Sequence, residues 1–227
     1  MALRDESAEE DLRKVQIAVM AKAPIPGLAK TRLIPALGRR GAARLQRQLT
    51  RLAVRTALDA GLGPVTLWCT PDIEHGFFRG LRRTTGVDCR RQPDGDLGDR
   101  MHAAFRLHCR QGPLLLIGSD CPALGPIQLR AAARALVAGD DAVFCPAEDG
   151  GYVLIGLRHP QRALFSGMTW STADVMSDTR ARALTQDLRI HECETLWDVD
   201  EPADLLRLRE LLTSSLIRVK APPILQT

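Results

Sequence analysis

The chain has 227 residues, 45% of them hydrophobic and 26% charged, with a formal net charge of +4. That length and balance suit one large α/β domain of ordinary soluble composition, and no apolar run approaches the length of a membrane span. The positive excess is mild and Arg is interspersed with Asp and Glu, which argues against nucleic acid as the main partner and still suits a phosphorylated small molecule.

The amino terminus, MALRDESAEEDLRK, is charged throughout and lacks the apolar core of a signal peptide. It predicts a disordered tail or a short surface helix over residues 1–14, with the domain proper over 15–213. The first strand is Val15 to Met20, and it leads into AKAPIPGLAKTRL. This loop holds Lys22, Lys30 and Arg32, while Pro24, Pro26 and Gly27 exclude regular structure between them. Cations and backbone N–H groups after a first strand can hold phosphates; a solvated basic turn is the alternative. The G-x-x-x-x-G-K-[ST] spacing of a P-loop is missing.

A helix follows over about Arg40 to Ala60, with Leu45, Leu49, Leu52 and Ala53 on one face and Gly61 as its stop. Next come a strand, Val65 to Cys69, a short helix around Pro71 to Leu81, and a strand, Val87 to Arg91. QPDGDLGDRM then enters a helix over Leu97 to His108. His102 and His108 read as packed or partly exposed, since no acid or Cys sits at ligand spacing from them.

Leu114 to Leu124, LLLIGSDCPAL, is the stretch around which the chain is organised. Its four apolar residues make a buried strand, and Gly118-Ser119-Asp120 places a carboxylate at the strand's carboxyl end, where open α/β sheets bind ligands. Asp120 can coordinate a divalent cation or cap the next helix. Pro122 and Pro126 push that helix downstream, which favours metal or substrate contact.

Pro126 to Val137 reads as a helix, Ala142 to Pro146 and Tyr152 to Leu157 as strands joined by AEDGG. Glu148 and Asp149 are candidate functional acids there, and a polar hairpin turn is the competing use. Ser171 to Asp174 resembles a capping box opening a helix to about Leu184, beside a packed Trp170. Leu188 to Cys193 is a strand, and LWDVDEPADLLRLRELL gives an acidic turn and a final helix that Asp200 suits as cap, with Pro202 in its first turn. The tail from Ser214, with Pro222 and Pro223, is expected to be poorly ordered. The six cysteines contain no C-x-x-C pair; they read as reduced thiols of a cytoplasmic protein, with no zinc site. Alternating strands and helices predict helices on both faces of a mostly parallel sheet.

Taken in order, AKAPIPGLAKTRL, GDLGDRM, IGSDCPAL, PAEDGGYVLIGL, WST and LWDVDEPADL resemble a bacterial family of glycosyltransferase-A type, the nucleotide-diphospho-sugar transferase-like proteins. Some of its members are assigned as glycosyltransferases of arsenosugar biosynthesis. More distantly the chain is similar to the guanylyltransferases of molybdenum cofactor and phospholactate metabolism. The resemblance covers about Val15 to Leu208. It implies a three-layer α/β/α, Rossmann-like fold and a nucleotide-sugar or nucleotide as small-molecule partner. Lys22, Lys30 and Arg32 would lie on the nucleotide phosphates, and Gln92, Gly95 and Asp96 on the base or ribose. Asp120 would be one ligand of Mg²⁺ or Mn²⁺; Cys121 and Pro122 leave no second acid beside it, so Asp200, or else Asp198, would complete the site. Glu148 and Asp149 would be the catalytic acids, and Gly150, Gly151 and Trp170 would border the sugar or acceptor. The expected activity is metal-dependent glycosyl transfer from a nucleotide-diphospho-sugar; nucleotidyl transfer from a nucleoside triphosphate and non-catalytic nucleotide-sugar binding are the alternatives.

Overall fold

A computed structural model describes residues 2–213, with side chains described from residue 7. Seven strands form one sheet: β1 (Gln16–Lys22), β2 (Val65–Thr70), β3 (Asp88–Arg91), β4 (Leu114–Ile117), β5 (Ala142–Pro146), β6 (Tyr152–Leu157) and β7 (Ile190–Glu192), in the spatial order β3-β2-β1-β4-β6-β5-β7. Every neighbouring pair is parallel except the two made by β6, which runs against both β4 and β5. The connection from β5 to β6 is the hairpin turn weighed for AEDGG, closed by Ala147 N–H donating to Gly151 O. β1 lies between β2 and β4, so the chain leaves it first to one side and later fills the other. Such a reversal opens a crevice at the carboxyl ends of the strands.

Among the described residues there are seven α-helices: α1 (Ala2–Leu12), α2 (Ile34–Asp59), α3 (Gly76–Thr85), α4 (Leu97–His108), α5 (Pro126–Val137), α6 (Val175–Thr185) and α7 (Asp204–Thr213). The alternation of strand side chains assigns them to two layers. Ile17, Val19, Leu115 and Ile117 point to one face, where they pack with Val54 of α2, Phe78 of α3 and Leu129 of α5. Ala18, Leu114 and Leu116 point to the other, against Phe105 of α4 and Met176 of α6. The result is the three-layer α/β/α arrangement that the alternating pattern predicts.

Residues 2–12, expected as a tail or short surface helix, form α1, and its last residue Leu12 is in the core at 3% exposure. The expectation for the tail from Ser214 lies outside the described residues. α2 starts earlier than its apolar periodicity suggests, because a short helical piece before Gly38 (φ 68°) joins the longer one after it. Asp174 takes the cap position of α6 without a side-chain cap bond, so the capping box expected at Ser171 is not formed. All six cysteines are free thiols. Among the described residues no helix is long and apolar enough to cross a membrane.

Candidate functional site

The segment after β1 reaches the site through Lys30. Its backbone is left-handed (φ 47°), a conformation that costs a non-glycine residue about 1 kcal/mol or more. The side chain supplies the reason for a lysine there. Its ammonium lies 2.8 Å from Asp120 Oδ2 and 2.8 Å from Asp200 Oδ1, and it donates to Val199 O at 2.7 Å. Three donors meet three acceptors. Lys30 is 5% exposed, whereas Asp120 and Asp200 keep 36% and 41%, so solvent or a ligand reaches the acids past the lysine. Burial opposes the charge on Lys30, but Asp120 and Asp200 outweigh it and its pKa is raised.

Each acid is held by its own scaffold. Asp120 leaves the end of β4, accepts from Ser119 Oγ at 2.9 Å, and Ser119 Oγ in turn accepts from Gln46 Nε2 of α2 at 3.0 Å. Val199 N–H donates to Asp120 O at 3.0 Å, which staples the acidic turn onto the β4 loop. Beneath them Leu33, Leu45, Leu49, Trp197, Val199 and Leu208 form a buried cluster that joins the basic loop, α2 and α7. Sequence reasoning missed the roles of Gln46 and Ser119: both are uncharged, and Ser119 reads only as a small residue of the IGSDCPAL motif. The capping use weighed for Asp200 has another outcome: α7 begins at Asp204, whose Oδ2 reaches back to accept from the N–H groups of Asp200 and Glu201 at 2.9 and 2.7 Å, while Asp200 Oδ1 accepts from Lys30.

These groups line a cavity of about 460 Å³ that also contains Lys22, Arg32, Gln92 and Arg100. Arg32 is 63% exposed and stands 4.0 Å from Asp200. Gln92 is buried, and its Nε2 donates to Trp68 O at 2.9 Å and Ala21 O at 3.4 Å, tying the ends of β1 and β2. Asp198 is the third acid of the turn. Its pKa is raised to about 6, by burial first and then by the charges of Asp200, Asp149 and Asp120, against the relief given by Lys30. The centre therefore has more negative charge than its one buried cation balances.

Several expected site residues lie elsewhere. Asp96 caps α4 in a reciprocal box with Asp99, its Oδ1 accepting from Asp99 N at 2.8 Å, and neither it nor Gly95 lines the cavity. Glu148 is held by two bonds from Arg207 at 2.6 and 2.8 Å, and Arg207 stacks over Trp197 at 4.6 Å. That bond from Arg207 lowers the Glu148 pKa, which leaves a poor proton acceptor. Glu148, Asp149, Gly150, Gly151, Trp170 and Asp198 are also outside the cavity lining. The two glycine motifs there serve packing: a Cβ on Gly98 would meet the Trp170 ring at 2.7 Å, and one on Gly150 (φ 89°) would meet Ala173 O at 2.1 Å. Asp149 Oδ1 accepts from Gly151 N at 2.9 Å, and its charge is felt at Asp198.

A second cavity, of about 450 Å³, opens at the opposite end of the sheet and includes His108. Its imidazole is packed as expected, between Gln16 Oε1 at 2.9 Å and Trp68 Nε1 at 3.3 Å. Both ring nitrogens are thus satisfied, far from the acidic turn.

The oxygen donors of Asp120 and Asp200 suit a hard divalent cation, which commonly takes one or two carboxylates and completes its shell with water and phosphate oxygens. Among the described residues no three His, Cys, Asp or Glu side chains come together to hold a metal ion. Asp120 and Asp200 therefore form no closed protein cage, and one oxygen of each is already bonded to Lys30.

Over residues 53–172, more than half of its length, the chain matches the model of a family described as uncharacterized protein conserved in bacteria (DUF2064). No curated protein matches it. Among solved structures it is similar to a protein of Desulfovibrio desulfuricans G20 that is provisionally named a nucleotide-diphospho-sugar transferase. The two are 27% identical with a TM-score of 0.83, over 92% of this chain and 91% of that one. CMP:2-keto-3-deoxy-manno-octonic acid synthetase, solved with CTP, is 14% identical with a TM-score of 0.57, over 89% of this chain and 99% of that one. The 4-diphosphocytidyl-2C-methyl-D-erythritol synthase of Anaerococcus prevotii DSM 20548 is 10% identical with a TM-score of 0.59, over 90% and 99%. At 14% and 10% identity the likeness shows the fold alone, which is that of the nucleotide-diphospho-sugar transferase-like proteins.

Proposed function

The chain belongs to the DUF2064 family of uncharacterized bacterial proteins, and from its own site we propose that it is a glycosyltransferase that takes a nucleotide-diphospho-sugar as donor. The observation that carries the reading is the Lys30 ammonium shared by Asp120 and Asp200 on the wall of a cavity with three further cations, Lys22, Arg32 and Arg100. A diphosphate fits that charge pattern, and the acids beside it account for the cation that commonly travels with one.

In glycosyl transfer the bond from the anomeric carbon to the diphosphate breaks and a bond to the acceptor oxygen forms. Negative charge grows on the departing phosphate. Lys22, Arg32 and Arg100 would neutralise it in place, while Lys30 holds the two acids beside them. Mg²⁺ or Mn²⁺, held by Asp120 and Asp200 with Asp198 beside them, would supply further neutralisation of the same phosphates. Asp149 is the acid assigned to take the acceptor's hydroxyl proton, since Glu148 is committed to Arg207. Gln92, bound to the ends of β1 and β2, would meet the nucleoside.

Product analysis tests the reaction: incubation with a panel of nucleotide sugars and Mn²⁺ should release nucleoside diphosphate. Asp149→Asn should lower turnover while donor binding stays close to wild type; equal loss of both would move the base elsewhere. Nucleotidyl transfer is the second reading, favoured by the four cations of the cavity, which match a triphosphate as well. Released pyrophosphate from a nucleoside triphosphate would decide for it.

A further inference from the structure

The arginines that look dispersed in the linear sequence gather on one face of α2. Arg40, Arg44, Arg47, Arg51 and Arg55 recur at three- and four-residue steps, all exposed, and no Asp or Glu occurs between Thr31 and Leu58. Arg55 pairs with Asp59. Among the described residues the other four make no ion pair. Like charges three or four apart on a helix repel, so this stripe works against the stability of the helix that carries it. Arg47 and Arg51 extend over the Phe77 ring of α3, at 5.3 and 5.8 Å from its centroid. Toward the start of the stripe, Arg40, Arg44 and Arg47 share a concavity with Pro24, Pro26 and His75. No carboxylate lines it, and it has no lining residue in common with the cavity around Lys30.

We propose that this concavity is a second anion site, which binds a small polyanion carrying two or more phosphate groups. The inference stands apart from the glycosyltransferase reading, since it uses residues that do not line the Lys30 cavity. Guanidinium groups present forked donors that match phosphate oxygens two at a time. Three of them converging without an acid leave a charge that one monoanion cannot balance. His75 adds a further donor: its Nδ1 accepts from Phe77 N–H at 3.2 Å, so a neutral ring carries its proton on Nε2. A compact ligand is favoured over an extended one. Between Arg40 and Arg55 the stripe exposes no aromatic ring on which nucleobases would stack and no large apolar side chain to enter a bilayer.

Calorimetric titration with inorganic tripolyphosphate tests the site. Because the Lys30 cavity also attracts phosphates, the titrated protein carries Lys22→Gln with Arg32→Gln. This protein should still bind tripolyphosphate at one site. Adding Arg40→Gln with Arg44→Gln should weaken that binding at least about tenfold, the loss expected for charge-assisted hydrogen bonds. Adding Arg55→Gln, outside the concavity, should change it less than about twofold. All these side chains are exposed, and thermal melts of each variant verify that the fold is kept. Absence of binding in the Lys22→Gln, Arg32→Gln protein overturns the proposal. So does an equal loss from Arg55→Gln, which would mean a diffuse field. Tighter binding of an oligonucleotide or anionic vesicles, lost with Arg51→Gln and Arg55→Gln, would replace it with an extended docking face.

Discussion

Lys30→Met removes the one buried cation at the centre of the site. Asp120, Asp200 and the Val199 carbonyl would then face one another without the ammonium between them, with Asp198 and Asp149 adding to the negative charge. Removing one member of a buried ion pair costs about 3–5 kcal/mol. Here the lysine is buried but the acids are 36% and 41% exposed, so water screens part of the repulsion. We expect the low end, about 3 kcal/mol at pH 7. The pH dependence has a definite sign. The pKa of Lys30 is raised on folding, so its contribution is fully present below the unfolded lysine value of about 10.4 and is lost as pH rises through the folded value. The difference between wild type and variant should be flat from pH 7 to 9 and shrink only above that window. Urea unfolding at pH 7, 8 and 9 measures it. A second comparison isolates the pair: in an Asp120→Asn background, Lys30→Met should cost less than in the wild type. A loss below about 1 kcal/mol at pH 7, or an undiminished cost in that background, would refute the arrangement.

Asp198, with its pKa raised to about 6, takes up a proton on folding between that value and the unfolded value of about 3.9. Stability should therefore fall as pH rises from about 4 to 6, and Asp198→Asn should remove that slope and stabilise the protein above pH 6 by up to ~3 kcal/mol; parallel melting curves for the two proteins at pH 5 and 8 would count against it. Asp204→Ala, which removes the acceptor of the Asp200 and Glu201 N–H groups, should cost about 0.5–1.5 kcal/mol of stability by urea unfolding while nucleotide affinity holds, and Asp200→Asn, which takes a carboxylate from buried Lys30, should lower stability and nucleotide affinity together. Gly98→Ala drives a methyl to 2.7 Å from the Trp170 ring and 2.9 Å from Phe165 O. It should cost about 1–3 kcal/mol and shift tryptophan fluorescence; an unchanged spectrum and stability would mean that this contact relaxes freely.

The parts of the fold that were legible in the sequence are those with punctuation at both ends. Leu114–Ile117, Pro126–Val137, Ala142–Pro146 and Tyr152–Leu157 fall where Gly or Pro bounds an apolar run. The start of α2 was not legible, because Gly38 looks like a stop and the structure carries helix on both sides of it. At the site, residue type identified Lys30, Asp120 and Asp200, but not what joins them. Asp200 and Asp204, two residues before and two after Pro202, are both polar turn residues by local chemistry, and only the position of Lys30, 170 residues away from Asp200, shows which carboxylate turns inward. Asp96 and Glu148 failed for the opposite reason. Each has a local or packed partner, Asp99 or Arg207, that uses its carboxylate before any ligand arrives.

The distance along the chain between Lys30 and Asp200 also has a history in time. A ribosome adds roughly 5–20 residues per second, so about 10–30 s separate the appearance of the lysine from that of its second acid. During that interval the basic loop can find Asp120 but neither Asp200 nor the Val199 carbonyl. The acidic turn, made 170 residues later, closes the charge balance for the basic loop. A chain cut between Glu192 and Asp198 would carry the whole basic segment and β1 to β7, yet its central lysine would have one acceptor in place of three. Synthesis of the acidic turn is thus the step at which the site acquires its electrostatic shape.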